Sequence, residues 1–302
     1  MTNTAATLSL PMPTNQDRAH NSNIARLLVQ GVDQPGIVST VSSALTESGA
    51  NVIALDQFST DAQGGAFFQR TEFHIEDLPA ALPALERSLG AALKNFDLTW
   101  HLAPAASRKR VAIFVSKTDH CLLDLLWRHK RGEIAMDIVM VVSNHADLAE
   151  SVRPFGIPYF HVPVSGDKKE AEHRHLELLN GNVDLIVLAR YMQVISENFL
   201  DEVGTPVINI HHSFLPAFIG AGPYQKAKDR GVKLIGATAH YVTKDLDEGP
   251  IIEQDVIRVS HDGTTRQLMR SGADVERAVL SRAVSWHCED RVMLHGNTTV
   301  VF

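Results

Sequence analysis

From residue 24 onward the spacing of apolar positions changes repeatedly, and each change marks an element. Ile24 to Gln30 reads as a strand, and Val32-Asp33-Gln34-Pro35-Gly36 as a turn. Ile37, Val38, Val41 and Leu45 then recur at helical spacing up to a stop at Gly49. Asn51–Phe58 predicts a second strand, Asp61–Gly65 a hairpin turn and Ala66–Ile75 a third strand with period-two alternation. Leu82, Leu85, Leu89 and Leu93 define a second helix, followed by a short strand at Asp97–His101. The order βαββαβ is that of the ferredoxin-like split unit. Residues 1–23 are polar and read as a disordered tail, residues 24–102 as one domain and residues 103–109 as a linker of small residues and proline.

Residues 110–302 follow a different rhythm. Arg110–Ser116 is a continuous apolar run, the pattern of a strand buried on both faces. Helices at 119–131, 145–155, 168–180 and 196–202 alternate with strands at 136–143, 158–162, 183–189 and 207–211. That alternation predicts an α/β fold with a doubly wound, mainly parallel sheet. A helix at 223–230, a strand at 233–243 and a closing helix at 265–288 complete the domain. No Gly-x-Gly-x-x-Gly follows the first strand, so a dinucleotide cofactor is unsupported, and no cofactor is expected.

Composition adds boundaries. A length of 302 residues fits about two domains, and 44% hydrophobic residues suffice for real cores. The net charge of −7, with no compensating basic stripe, argues against a nucleic-acid partner. Two cysteines without Cys-x-x-Cys spacing predict a reducing compartment and no disulfide framework. With no apolar run of membrane-spanning length and no secretory signal pattern, the expectation is a cytoplasmic protein without a membrane partner.

The chemistry concentrates in Asn209-Ile-His211-His-Ser-Phe-Leu-Pro216 and, further on, Leu246-Asp247-Glu-Gly-Pro250. Asn209 and His211 lie two apart near the end of a β-branched strand, so they share a side where open α/β sheets place ligands. An amide, an imidazole and a carboxylate have complementary roles around one carbonyl carbon, which points to acyl or amide transfer. The residues could also be satisfied polar groups at a strand end. His212 is expected on the opposite side of the strand, as a structural residue or at the site's rim. A zinc reading through His211, His240 and Asp247 lacks a close ligand pair, so no metal is expected. Leu215-Pro216 is a candidate cis peptide, though trans is equally open.

Asn-x-His-x-Ser-x-Leu-Pro followed by Asp-x-Gly-Pro resembles the signature of the formyltransferase superfamily that uses 10-formyltetrahydrofolate. The longer run from Asn209 to Val256 is most similar to the formyltetrahydrofolate deformylase family within it, and the resemblance extends from about residue 24 to the C-terminus. It implies that the substrate is the folate, that water accepts the formyl group, and that Asn209, His211 and Asp247 carry catalysis. It also implies that the pteridine lies against the loops Met192-Gln193-Val194-Ile195 and Val242-Thr243-Lys244-Asp245, with His240 beside the site. The turn Asp33-Gln34-Pro35-Gly36 resembles that of the ACT domain, implying either an amino-acid effector there or a purely assembling domain, and in either case a homo-oligomer. The alternatives are a formyltransferase passing the group to an amine and an idle amino-acid-sensing regulator. Arg153, Lys168 and Lys169 are too scattered to cradle a phosphorylated amine, which favours water.

Overall fold

The computed structural model describes residues 22–166, 168–216 and 222–302, and the chain divides into units 1–107 and 108–302. The predicted tail therefore lies almost wholly outside the described residues, as does the segment 217–221.

The first unit is built from β1 (Ile24–Val32), α1 (Ile37–Glu47), β2 (Asn51–Ser59), β3 (Ala66–His74), α2 (Leu78–Leu93) and β4 (Leu98–Pro104). Its sheet has the order β2-β3-β1-β4 with every pairing antiparallel. Alternation in β1 sends Leu27 and Val29 to one face, where they bury against Val41 and Leu45 of α1 and Leu85 and Leu89 of α2. The helices are thus held by their apolar stripes rather than by caps, since neither N-cap makes a side-chain hydrogen bond. The turn Asp33–Gly36 leads into α1, with Gly36 at φ 100, a left-handed conformation that favours glycine. The predicted strand at 97–101 extends to Pro104, and the next strand begins at Lys109, so the extended chain leaves less connection than the expected 103–109 linker.

The second unit contains β5 (Lys109–Val115), α3 (His120–Arg131), β6 (Met136–Ser143), α4 (Ala149–Val152), β7 (Tyr159–His161), α5 (Lys168–Leu179), β8 (Leu185–Leu188), α6 (Glu197–Val203) and β9 (Val207–His211). It continues with α7 (Pro223–Arg230), β10 (Leu234–Tyr241), β11 (Ile251–Arg258), α8 (Thr265–Cys288) and the small ribbon β12 (Val292–His295) and β13 (Thr298–Val301). The main sheet runs β11-β10-β9-β8-β5-β6-β7. Strands β5 to β9 pair in parallel, whereas β10 lies antiparallel to β9 and β11 antiparallel to β10.

Burial on both faces explains the apolar runs. In β5, Val111, Ile113 and Val115 join the core beneath α3 and α8, while Ala112 and Phe114 join the opposite core beneath α5 and α6. The long helix α8 begins at a capping box between Thr264 and Gln267. The antiparallel β10 was not legible as such, because period-two alternation reports burial and carries no strand direction. Its direction sends the following loop away from the end of β9, yet residues 242–250 fold back across the strand. Gly249 permits this return: a Cβ there would lie 1.8 Å from the Tyr241 carbonyl oxygen.

Candidate active site

Strand β9 carries Asn209 and His211 on one side, two residues apart, as its pleat requires. Register pairs Asn209 with His240 of β10 and with Leu188 of β8. The Asn209 side-chain nitrogen lies 3.2 Å from His240 Nε2. On its other edge, His240 Nδ1 is 2.9 Å from the Tyr241 carbonyl, which can only accept. His240 therefore directs an Nδ1 proton at the Tyr241 carbonyl, and its Nε2 faces both the Asn209 side chain and Asp247. One amide hydrogen of Asn209 remains for a ligand.

The returning loop brings Asp247 to the same place. Its Oδ1 lies 3.2 Å from His211 Nδ1 and 3.7 Å from His240 Nε2. Asp247 has φ 58, a conformation that short polar side chains tolerate better than most. The hydrogen bond from His211 holds the Asp247 carboxyl well below the usual carboxylate range; His240 adds to this, and together they outweigh partial burial. Asp247 is thus an anion at neutral pH. His211 donates Nδ1–H to it, while His211 Nε2 is buried with no hydrogen-bond partner among the described residues.

These groups line a cavity of about 390 Å³ that also takes in Met192, Gln193, Val194, Ile195, Val242, Thr243 and Lys244. Met192 and Val194 are apolar yet 57% and 54% exposed, so they are poorly explained as core packing. Their loop is fixed from both ends. Ser116, at the end of β5, accepts from Met192 N–H through its hydroxyl and donates its own N–H to the Arg190 carbonyl. Glu172 of α5 accepts from both the N–H and hydroxyl of Ser196. Asp245 is the exception among the expected contacts: it is not among the lining residues, and its carbonyl accepts from the Thr243 hydroxyl. Leu215-Pro216 is cis.

Sequence reasoning missed several neighbours. Arg190, Tyr191 and Leu246 line the cavity as well. His212, expected as a structural residue or at the site's rim, follows the end of β9 and lines the cavity. Burial first, then the charges of Arg190 and His211, push the His212 imidazole down to about 4, so it is neutral. Behind Arg190 sits Glu276 of α8, buried, with Oε2 2.8 Å from His120 Nε2 and 3.5 Å from Arg190 Nε, and Oε1 accepting from the Tyr224 hydroxyl at 2.5 Å. Burial works to raise the Glu276 carboxyl, but His120, Arg190 and Tyr224 together bring it below its ordinary value. Gly272 makes the Tyr224 contact possible, since a Cβ there would lie 2.0 Å from the Tyr224 hydroxyl.

Donor atoms of His120, Cys121 and Glu276 lie within 4.8 Å of one another, a spacing a metal could use. The chemistry of the set is unfavourable: both Glu276 oxygens already accept hydrogen bonds, and the Arg190 cation stands beside them. Burial also raises the Cys121 thiol well above its ordinary range, opposing the thiolate a metal requires. The turn Asp33–Gly36 of the first unit is exposed except for half-buried Asp33, whose N–H donates to the Gly65 carbonyl. No helix among the described residues is long and apolar enough to cross a membrane.

Comparison with known proteins identifies the fold and the family. Residues 109–284 match the Formyl transferase family and residues 25–90 the ACT domain family. A formyltetrahydrofolate deformylase of Mycobacterium tuberculosis is 60% identical over 283 residues, covering 93% of this chain and 91% of that protein. One from Bacillus subtilis is 50% identical over 287 residues, covering 94% and 96%. The crystal structure of a formyltetrahydrofolate deformylase from Pseudomonas syringae superposes with a TM-score of 0.88 at 44% identity, covering 92% of this chain and 94% of that one. An ACT domain precedes a formyltransferase fold with a mostly parallel sheet, and the chain belongs to the formyltetrahydrofolate deformylase family.

Proposed function

We propose that this protein hydrolyses 10-formyltetrahydrofolate to formate and tetrahydrofolate. The observation that carries the mechanism is the convergence of Asn209, His211 and Asp247 on one wall of the cavity, with Asp247 ionised and bonded to His211. The N-formyl carbonyl lies with its oxygen toward the free amide hydrogen of Asn209 and toward His211 Nε2. Both act as donors to the oxyanion that forms when water adds, His211 doing so when Nε2 carries a proton. Asp247, as an anion with lone pairs to spare, accepts from the attacking water and fixes its direction. His211, bridging Asp247 and the reacting centre, delivers a proton to the departing amine nitrogen. His240 supports this set by orienting the Asn209 amide.

The folate ring occupies the part of the cavity between Met192–Ile195 and Val242–Lys244, where exposed Met192 and Val194 offer apolar faces and the loop backbone offers hydrogen-bond partners. Asp245 shapes the second loop through its carbonyl rather than by touching the substrate. No cofactor and no metal ion enter the reaction. We read Asp33–Gly36 as the effector turn of the ACT domain, taking an amino acid, and the protein as a cytoplasmic homo-oligomer. The experiment is release of formate from 10-formyltetrahydrofolate in buffer without any amine acceptor. Stoichiometric formate supports hydrolysis; turnover that appears only with an added amine makes the protein a formyltransferase.

A further inference from the structure

One cation in the cavity is not used by the mechanism above. Arg190 follows by two residues the end of β8, whose last residue Leu188 pairs with Asn209. It lines the cavity, and its side chain is largely buried. Its described polar partner is Glu276, 3.5 Å from Nε, an approach that gives charge pairing without a hydrogen bond to that nitrogen. Glu276 is itself fixed from two other sides by His120 and Tyr224, so it braces the arginine without saturating it. Arg190 also holds φ 66, a left-handed conformation that costs a non-glycine residue free energy. His212, within electrostatic reach, is kept neutral in part by the same arginine and can donate a hydrogen bond without adding a second charge.

A planar guanidinium with free N–H groups, at a cavity wall that excludes much of the water, matches a carboxylate. We propose that Arg190, braced by Glu276 and facing His212, is the carboxylate-accepting group of the cavity and receives the formate product. This rests on the hydrolytic reading. Water adds its oxygen to the formyl carbon, the carbon–nitrogen bond breaks, and one proton goes to the amine nitrogen. The formic acid released loses its remaining proton at neutral pH, so a neutral amide becomes an anion inside the site. A fixed cation within electrostatic reach of His212 has little to bind in the neutral formyl amide and a full charge to bind in the product. Formate therefore dwells on Arg190 after the bond is cut and leaves as a separate step.

The test is product inhibition in the full-length protein, with chloride at matched ionic strength as the control. Formate should inhibit the wild type, and Arg190→Gly should raise its inhibition constant about tenfold or more, the loss expected of one charge-assisted contact. Glycine suits φ 66, so this variant removes the guanidinium without straining the backbone. Inhibition by a folate analogue should be unchanged, and Arg190→Lys should recover part of the formate effect. If a variant turns over too slowly to assay, formate binding to the tetrahydrofolate-loaded protein is measured by calorimetry. Equal formate affinity in wild type and Arg190→Gly overturns the assignment, as does a wild type indifferent to formate beyond the chloride control. A wild type that binds formate through Arg190 but releases none from 10-formyltetrahydrofolate overturns the hydrolytic reading instead.

Discussion

Two carboxylate–histidine networks lie close together in the second unit, and they differ in one respect that decides their use. Asp247 meets His211 and His240 at the edge of the cavity, with 12% of its side chain exposed. Glu276 meets His120, Tyr224 and Arg190 beneath it, with 2% exposed. Both carboxylates sit below their ordinary range because their partners outweigh burial. Asp247 has unspent acceptor capacity facing space that a substrate can enter, whereas both Glu276 oxygens accept from protein donors. The same functional groups are therefore open to a reactant in one place and hold an arginine and a helix in the other.

Rate separates the two most sharply. Asp247→Asn should lower turnover by at least about 10²–10³, the cost of losing one preorganised catalytic group, while folate binding survives. Single-turnover formate release and equilibrium binding check this together, and loss of binding with full chemistry would make Asp247 a binding residue. Glu276→Ala should instead appear in folding. It leaves Arg190 buried beside an empty site and strips Tyr224 and His120 of their acceptor, for a loss of about 3–5 kcal/mol in urea unfolding. A Glu276→Ala protein as stable as wild type would show that the inner network contributes nothing to the fold.

How far each network could be read from the sequence follows from where its members lie. Asn209 and His211 were legible because one strand's alternation puts them on one side, and Asp247 because it belongs to a recognisable Asp-x-Gly-Pro turn. The second group gave no such signal. His120 and Glu276 are 156 positions apart, and Glu276 stands among Val275, Val279 and Ala283 on α8, where a single glutamate reads as part of a solvated face. Arg190 directly follows the apolar run of residues 185–189, and no local spacing ties it to Glu276. The two sheets show the same limit: βαββαβ in the first unit and the parallel strands of the second follow from element order and burial, while the reversal of β10 depends on pairings no local pattern carries.

The contact between Tyr224 and Gly272 allows a smaller perturbation of the inner network alone. A methyl at Gly272 would push the Tyr224 hydroxyl off Glu276, and overpacking of this kind costs about 1–3 kcal/mol. Gly272→Ala should lower stability with the Asp247 chemistry intact, and adding Tyr224→Phe should recover little, because the ring still clashes. Acid should reach the second unit through its buried histidines. His175, His212 and His287 are each held at about 4 by burial, against 6.5 in the unfolded chain. The unfolded state then binds more protons as pH falls below 6.5, so stability is fully present above that value and declines toward pH 4. Urea midpoints at pH 7.5 and 5 measure the decline, and a flat profile would place those imidazoles in water.

The smallest expected effect concerns metal. Asp247 Oδ1 contacts both His211 Nδ1 and His240 Nε2, a trio that on paper resembles a zinc site. Its arrangement serves hydrogen bonds better. His240 Nε2 is committed to the Asn209 amide, its other nitrogen to the Tyr241 carbonyl, and a zinc ion would have to displace the first of these to gain a ligand. Losing that bond would free the Asn209 amide to rotate away from the position an oxyanion requires, so metal binding and the amide's alignment compete for one nitrogen. Chelation with EDTA should accordingly leave turnover unchanged, and added zinc should inhibit, more strongly as Asn209 and His240 are pulled apart. Activity lost on chelation and regained with zinc would reverse the assignment and make the outer network, like many carboxylate–histidine sets open to solvent, a metal site.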